Sequence, residues 1–202
     1  MRNKSDRLGT APINKYFVIK RILDVLFSFI FIVILAFPMA LIWCAVVLSS
    51  RGGGIFRQTR IGQGGRRFTC YKFRTMYINA PRSCPSARLD ASRFVTPLGK
   101  LLRRTSLDEL PQLFNVLLGD MSLVGPRPPL PSEVRTYTLE ERKRLNITPG
   151  ITCLWQVSGR SELPFSKQIA LDKEYIASRS AWKDFVILLK TVPAILTGKG
   201  AW

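Results

Sequence analysis

VLFSFIFIVILAFPMALIWCAVVL, residues 25–48, holds 24 residues without a charge and with Ser28 as its only polar side chain. At about 1.5 Å per residue a helix of this length extends about 36 Å, enough to cross a hydrocarbon core of about 30 Å. The run is too long for a signal-peptide core and no small-residue cleavage site follows it. A helix buried in a soluble core would show polar residues along part of its circumference, and this one shows Ser28 alone. The segment is therefore read as membrane-embedded.

Pro38 divides the run into 13 residues before it and 10 after it. Neither half spans a bilayer alone, and an interior proline removes a hydrogen bond and bends a helix. Both flanks are basic. Residues 1–24 carry Arg2, Lys4, Arg7, Lys15, Lys20 and Arg21 against Asp6 and Asp24, and residues 51–74 carry seven basic residues and no acid. Lys and Arg collect on the cytoplasmic side of membrane segments, so a crossing helix should show asymmetry between its ends. A helix that breaks at Pro38 and returns to the side it entered satisfies both flanks. A kinked spanning helix with its N-terminus outside is the competing arrangement. Residues 1–50 are expected to form a re-entrant anchor, and residues 51–202 a domain on the cytoplasmic side.

Working outward, 202 residues with 47% hydrophobic content suffice for one domain with a substantial core. Lys and Arg number 31 against 13 Asp and Glu, a net charge of +18, which points to anionic partners. No histidine is present, which excludes His-based triads, phosphohistidine chemistry and Cys/His zinc sites. Cys44, Cys70, Cys84 and Cys153 have neither metal-binding nor redox spacing and read as packing residues in a reducing compartment.

Past a glycine turn at 52–54, residues 55–76 alternate apolar and basic around Gly62–Gly65, which predicts a hairpin with a basic face. Residues 79–97 read as a surface loop, and 98–118 as helix with a break near Thr105–Ser106 and a stop at Gly119. The prolines of 125–131 form a rigid turn, residues 133–145 a polar helix, and 147–160 a loop with a short extended piece. Residues 166–181 read as a mixed polar helix. Residues 182–196 read as an apolar-rich amphipathic helix broken at Pro193, suited either to the membrane interface or to a core. The expected fold is α+β, mostly helical, and monotopic.

Thirteen basic residues and one acid lie between Arg51 and Leu107, and adjacent Asp108 and Glu109 stand at the edge of that stretch. Ser106 and Glu109 have capping-box spacing, and Pro111 is acceptable if Asp108 caps a helix, so both acids could serve only as caps. A functional reading also exists. An aspartate among arginines at a helix start stays ionised and can attack phosphorus, while a neighbouring carboxylate holds the Mg²⁺ that neutralises a diphosphate. Arg103 and Arg104, Arg127 in Pro126-Arg127-Pro128, and Arg160 could fork phosphate oxygens.

SLDELPQLFNVLLGDMSLVGPRP (106–128) resembles the signature of the bacterial sugar transferases, the small monotopic phosphoglycosyl transferases. The resemblance continues in YKFRTM (71–76), LGKLLRRTSLDE (98–109), PGITCLWQVSGR (149–160), Lys20-Arg21-x-x-Asp24 and the closing Gly200-Ala201-Trp202. It implies a Mg²⁺-dependent enzyme on the cytoplasmic face of the bacterial inner membrane, held to an anionic bilayer by a proline-broken helix with Lys20, Arg21 and Pro38. Such an enzyme moves a sugar 1-phosphate from a UDP-sugar to undecaprenyl phosphate, through an aspartyl-phosphosugar, and releases UMP as surface glycan synthesis begins. The resemblance assigns Asp108 as nucleophile, Glu109 as Mg²⁺ ligand, and Arg103, Arg127, Arg160 and Lys72 to substrate phosphates; a homodimer is compatible with it. Thr148 and Cys153 stand where many members carry Lys or Arg, and Gly. The chain also lacks the N-terminal extension of longer relatives and reads as the minimal catalytic form. A basic membrane adaptor without activity, or a nucleic-acid-binding protein, would share the charge; neither needs the acidic pair beside Pro-Arg-Pro.

Overall fold

The computed structural model describes residues 15–80, 93–197 and 200. The expectations for most of the 79–97 loop, for the basic residues before Lys15, for Cys84 and for Ala201-Trp202 lie outside these residues.

The first helix, α1 (Lys15–Ser49), carries the whole apolar run, with Pro38 inside it. The backbone stays helical on both sides of Pro38, so the expected break is absent. Most of its large apolar side chains face outward, Val33, Ile34 and Phe37 among them. One stripe does not. Asp24, Ser28, Ile32, Leu35, Met39, Ile42 and Val46 recur every three or four residues and lie buried or half-buried against the body of the protein. That spacing keeps one helix face on the body along its entire length. Ser28 is fully buried there and bonds back to the Asp24 carbonyl.

Both ends of α1 are also tied to the same body. Near the start, Arg21 donates to the Val116 and Leu117 carbonyls at 2.6 and 2.9 Å, satisfying acceptors that a helix C-terminus leaves bare. Lys20 pairs with Asp184 at 2.8 Å, and the Asp24 carboxylate accepts from the Leu123 N–H at 3.0 Å. At the far end Arg74 donates to the Val46, Ser50 and Arg51 carbonyls.

The alternating segment forms the expected antiparallel hairpin, β1 (Ile55–Ile61) and β2 (Arg67–Phe73), with Ile55 opposite Phe73 and Ile61 opposite Arg67. Helix α2 (Pro97–Arg104) is capped by Thr96, whose side chain accepts from Gly99 N. A 3₁₀ turn at Leu107–Glu109 separates α2 from α3 (Gln112–Leu118), and Gly119 ends α3 at φ 95°. The break at 105–106 is therefore present, but the expected capping box is not. Ser106 adopts the left-handed region at φ 55° with no side-chain cap, and α3 begins behind Pro111 rather than on Asp108. A left-handed residue turns the chain sharply, which faces Asp108 and Glu109 inward instead of along a helix start.

Strand β3 (Ser122–Val124) pairs in parallel with β4 (Gly150–Thr152). The strands approach so closely that a Cβ on Gly150 would lie 2.1 Å from Gly125 N. Between them the expected polar helix of 133–145 is split into α4 (Pro131–Thr136), α5 (Leu139–Arg142) and a 3₁₀ turn, because Tyr137 is extended. Helix α6 (Phe165–Ser178) follows, then α7 (Ala181–Thr197), which continues through Pro193 where a break was expected. α7 buries Ile187 and exposes Trp182, Phe185, Leu189, Val192 and Leu196, again three or four residues apart. It is thus packed on one side and apolar on the open side. The core joins Val116, Met121, Val124, Tyr175 and Ile187, with Ile32 and Leu35 of α1 against it. A smaller cluster joins Val46, Phe73 and Leu102. Cys70 and Cys153 are buried as expected of packing residues; Cys44 is instead exposed on α1.

Candidate active site

Three elements converge on the 3₁₀ turn that carries Asp108 and Glu109. Strand β2 supplies Lys72, the turn after β3 supplies Arg127, and the end of α2 supplies Arg103. Lys72 Nζ lies 2.5 Å from Glu109 Oε1, and Arg127 Nη1 lies 3.5 Å from the same oxygen. Arg103 donates from Nε to the Thr75 hydroxyl at 2.9 Å, and its charge faces Asp108.

Each position is fixed locally. Asn115, fully buried on α3, donates to the Thr69 carbonyl at 2.7 Å and accepts from Tyr71 N at 3.0 Å. Its amide thereby pairs the free edge of β2 and sets Lys72 against the turn. Arg60 on β1 donates to the Pro128 carbonyl at 2.9 Å, and Ile61 N donates to the Pro129 carbonyl at 3.0 Å. The hairpin thus frames the Pro126-Arg127-Pro128 turn.

The two acids sit in opposite electrostatic settings. Burial raises the Asp108 carboxyl above the ordinary aspartate value and the neighbouring Glu109 charge adds to that, against Lys72, Arg103 and Arg127. Asp108 is 8% exposed and makes no hydrogen bond among the described residues. Burial would raise Glu109 too, but Lys72 and Arg127 outweigh it and hold its carboxyl well below the usual range. Neighbouring carboxylates pushed apart in this way are suited to different roles.

A cavity of about 140 Å³ opens beside the turn, with Ser106, Glu109, Gln156 and Arg160 among its polar lining and Leu110, Leu113, Ile151 and Ile195 among its apolar lining. Arg160 therefore reaches the same space as Glu109, from a left-handed residue at φ 53°. Of the residues singled out in the sequence, Lys72, Arg103, Arg127 and Arg160 all gather around the acidic pair. Lys20 and Arg21 hold α1 to α7 and α3, and Pro38 lies exposed on α1. Sequence reasoning missed Arg60, Thr75, Asn115 and Gln156. Arg60 was one of many cations in a basic hairpin, and the other three are common polar residues whose partners are distant in sequence.

The model for bacterial sugar transferases matches residues 15–198. The chain belongs to the bacterial sugar transferase family. The chain is 38% identical over 199 residues to the undecaprenyl-phosphate galactose phosphotransferase of Salmonella typhimurium, covering 91% of the chain and 42% of that relative. It is 39% identical over 199 residues to the exopolysaccharide production protein ExoY of Sinorhizobium fredii, covering 91% and 88%. It is 41% identical over 193 residues to the UDP-glucose:undecaprenyl-phosphate glucose-1-phosphate transferase of Caulobacter vibrioides, covering 91% and 72%. The chain spans less than half the length of several relatives that it matches, the Salmonella protein among them.

Proposed function

We propose that this protein transfers a sugar 1-phosphate from a UDP-sugar to undecaprenyl phosphate at the cytoplasmic face of the bacterial inner membrane. The observation that carries the reading is a buried carboxylate without a hydrogen-bond partner among the described residues, Asp108, ringed by the charges of Lys72, Arg103 and Arg127. Such a group has oxygens free to attack and cations placed to receive an anionic substrate. The relatives named for undecaprenyl-phosphate transfer support the substrate class.

In this mechanism Asp108 attacks the phosphorus bonded to the sugar. The bond between that phosphorus and the bridging oxygen breaks, and the oxygen leaves with UMP. A phosphate oxygen of undecaprenyl phosphate then attacks the same phosphorus, and the Asp108 carboxylate departs unchanged. Burial favours the first step by making Asp108 more basic than an exposed aspartate. Arg103, Arg127 and Arg160 bind the diphosphate oxygens, and Lys72 holds Glu109 ionised. The described residues contain no cluster of three metal-ligating side chains. One carboxylate with substrate phosphates nevertheless suffices for Mg²⁺, and every described contact of Glu109 falls on Oε1, leaving Oε2 for the metal. Bound there, Mg²⁺ would neutralise diphosphate charge.

Residues 1–50 act as the anchor and 51–202 as the catalytic domain. A straight crossing would separate the two ends of α1 by about 30 Å of hydrocarbon, yet Arg21 and Arg74 bind both ends to one body. That supports an α1 that enters and leaves by the same face, with the open apolar side of α7 at the interface.

The test is covalent trapping. Full-length protein given UDP-glucose or UDP-galactose without acceptor should gain the mass of a hexose phosphate on the peptide containing Asp108. Asp108→Asn should fold, bind membranes and release no UMP. Robust UMP release from that variant would refute the aspartyl intermediate.

A further inference from the structure

We propose that Thr75 is a positioning residue that aims the Arg103 guanidinium at the substrate phosphate beside Asp108; this rests on the phosphate-binding role given to Arg103 above. Thr75 follows β2 and is 7% exposed. Its backbone carbonyl accepts from Thr96 N at 3.0 Å, at the cap of α2. A Cβ at Gly99 would fall 2.1 Å from that carbonyl oxygen, so the first turn of α2 is seated directly on Thr75. One turn later Arg103 reaches back to the Thr75 hydroxyl through Nε at 2.9 Å. A single residue therefore fixes both where α2 starts and where the side chain at its end points.

Arginine is long and flexible, and one hydrogen bond at Nε fixes the plane of its guanidinium. The two terminal nitrogens have no hydrogen-bond partner among the described residues. They form a planar fork that matches two phosphate oxygens. Asp108 is the acid whose charge acts on Arg103. The hydroxyl thus consumes the one donor not needed for the fork and fixes the plane in which the fork is held, within the electrostatic reach of Asp108. Without that bond the charge stays nearby, but its direction is lost.

The experiment is a mutant cycle on the full chain in detergent, reading UMP release from UDP-glucose or UDP-galactose with undecaprenyl phosphate. Thr75→Val keeps the shape and removes the acceptor; kcat should fall about tenfold, the worth of one hydrogen bond to a charged group, with an unchanged melting midpoint. Thr75→Ser, which keeps the hydroxyl, should restore most of it. In an Arg103→Met background Thr75→Val should cost nothing further. If Thr75→Val does not fold, Thr75→Ala carries the same expectation. Fully multiplicative losses, or a Thr75→Ser variant as slow as Thr75→Val, would overturn the positioning role. Arg103→Met with wild-type turnover would overturn the role of Arg103 itself, and absence of UMP release from the wild type would overturn the proposed activity.

Discussion

At the scale of single residues, Arg127 shows how the electrostatics divide the labour. It lies 3.5 Å from Glu109 and is half-buried beside the pair. Its charge alone could be replaced by lysine, but a lysine cannot present two parallel donors to a phosphate. Arg127→Lys should therefore lower kcat/KM for the UDP-sugar by about tenfold or more, while the melting midpoint stays near wild type; UMP-release kinetics with a parallel thermal scan will read both. Gly150 makes a second case. The clash of any Cβ there is with backbone, which cannot rotate away as a side-chain tip can. Gly150→Ala should destabilise the protein by about 3 kcal/mol or more, measured as a fall in melting midpoint, and should also reduce activity because β3 leads into the Arg127 turn.

At the scale of elements, α1 gives the sharpest prediction. Cysteines introduced at Thr10 and at Arg67 should both react with a membrane-impermeant maleimide only after the inner face is opened. Labelling of the first site in intact spheroplasts would assign α1 a full crossing. Pro38→Ala restores a backbone donor and removes a ring clash, and should shift part of the population toward that crossing. The hairpin was legible because strict alternation and a glycine turn are local signals, and the same holds for the stop at Gly119. The pairing of β3 with β4 was not. Three residues are too few to show a period, and the partners Ser122 and Gly150 are far apart in sequence. The prolines misled for a related reason. Pro38 and Pro193 each sit in helices packed on one side, where side-chain contacts on both sides of the proline outweigh one lost hydrogen bond. The acidic pair was visible as a pair, but its capping geometry was not, since the left-handed turn at Ser106 depends on how α2 is seated.

At the scale of the whole molecule, the buried pair of Arg144 and Asp172 ties α6 to the chain leading into β4. Burial pushes the Asp172 carboxyl up to about 6, against the opposing pull of Arg144. The folded chain then holds a proton that the unfolded chain has already released between about pH 4 and 6. The stability from this site is present at the acid end of that window and is lost as pH rises through about 6. Asp172→Asn removes the titration, so the difference in melting midpoint between wild type and variant should change across pH 4 to 7 and flatten above it. A constant difference would mean that the carboxyl titrates alike in both states.

The stripe that α1 lays along the body also bears on how the protein can be handled in water. Deleting the helix would strip Val46 from one core and uncover the surfaces that Ile32 and Leu35 protect. A water-soluble version has to be repainted rather than trimmed. Glutamate and lysine would go onto outward positions such as Ile22, Leu26, Val33, Ile34, Leu41 and Leu48, while Asp24, Ser28, Ile32, Leu35, Met39, Ile42 and Val46 stay as they are. Such a variant would let the first half-reaction be followed in free solution, with the lipid acceptor offered only when wanted.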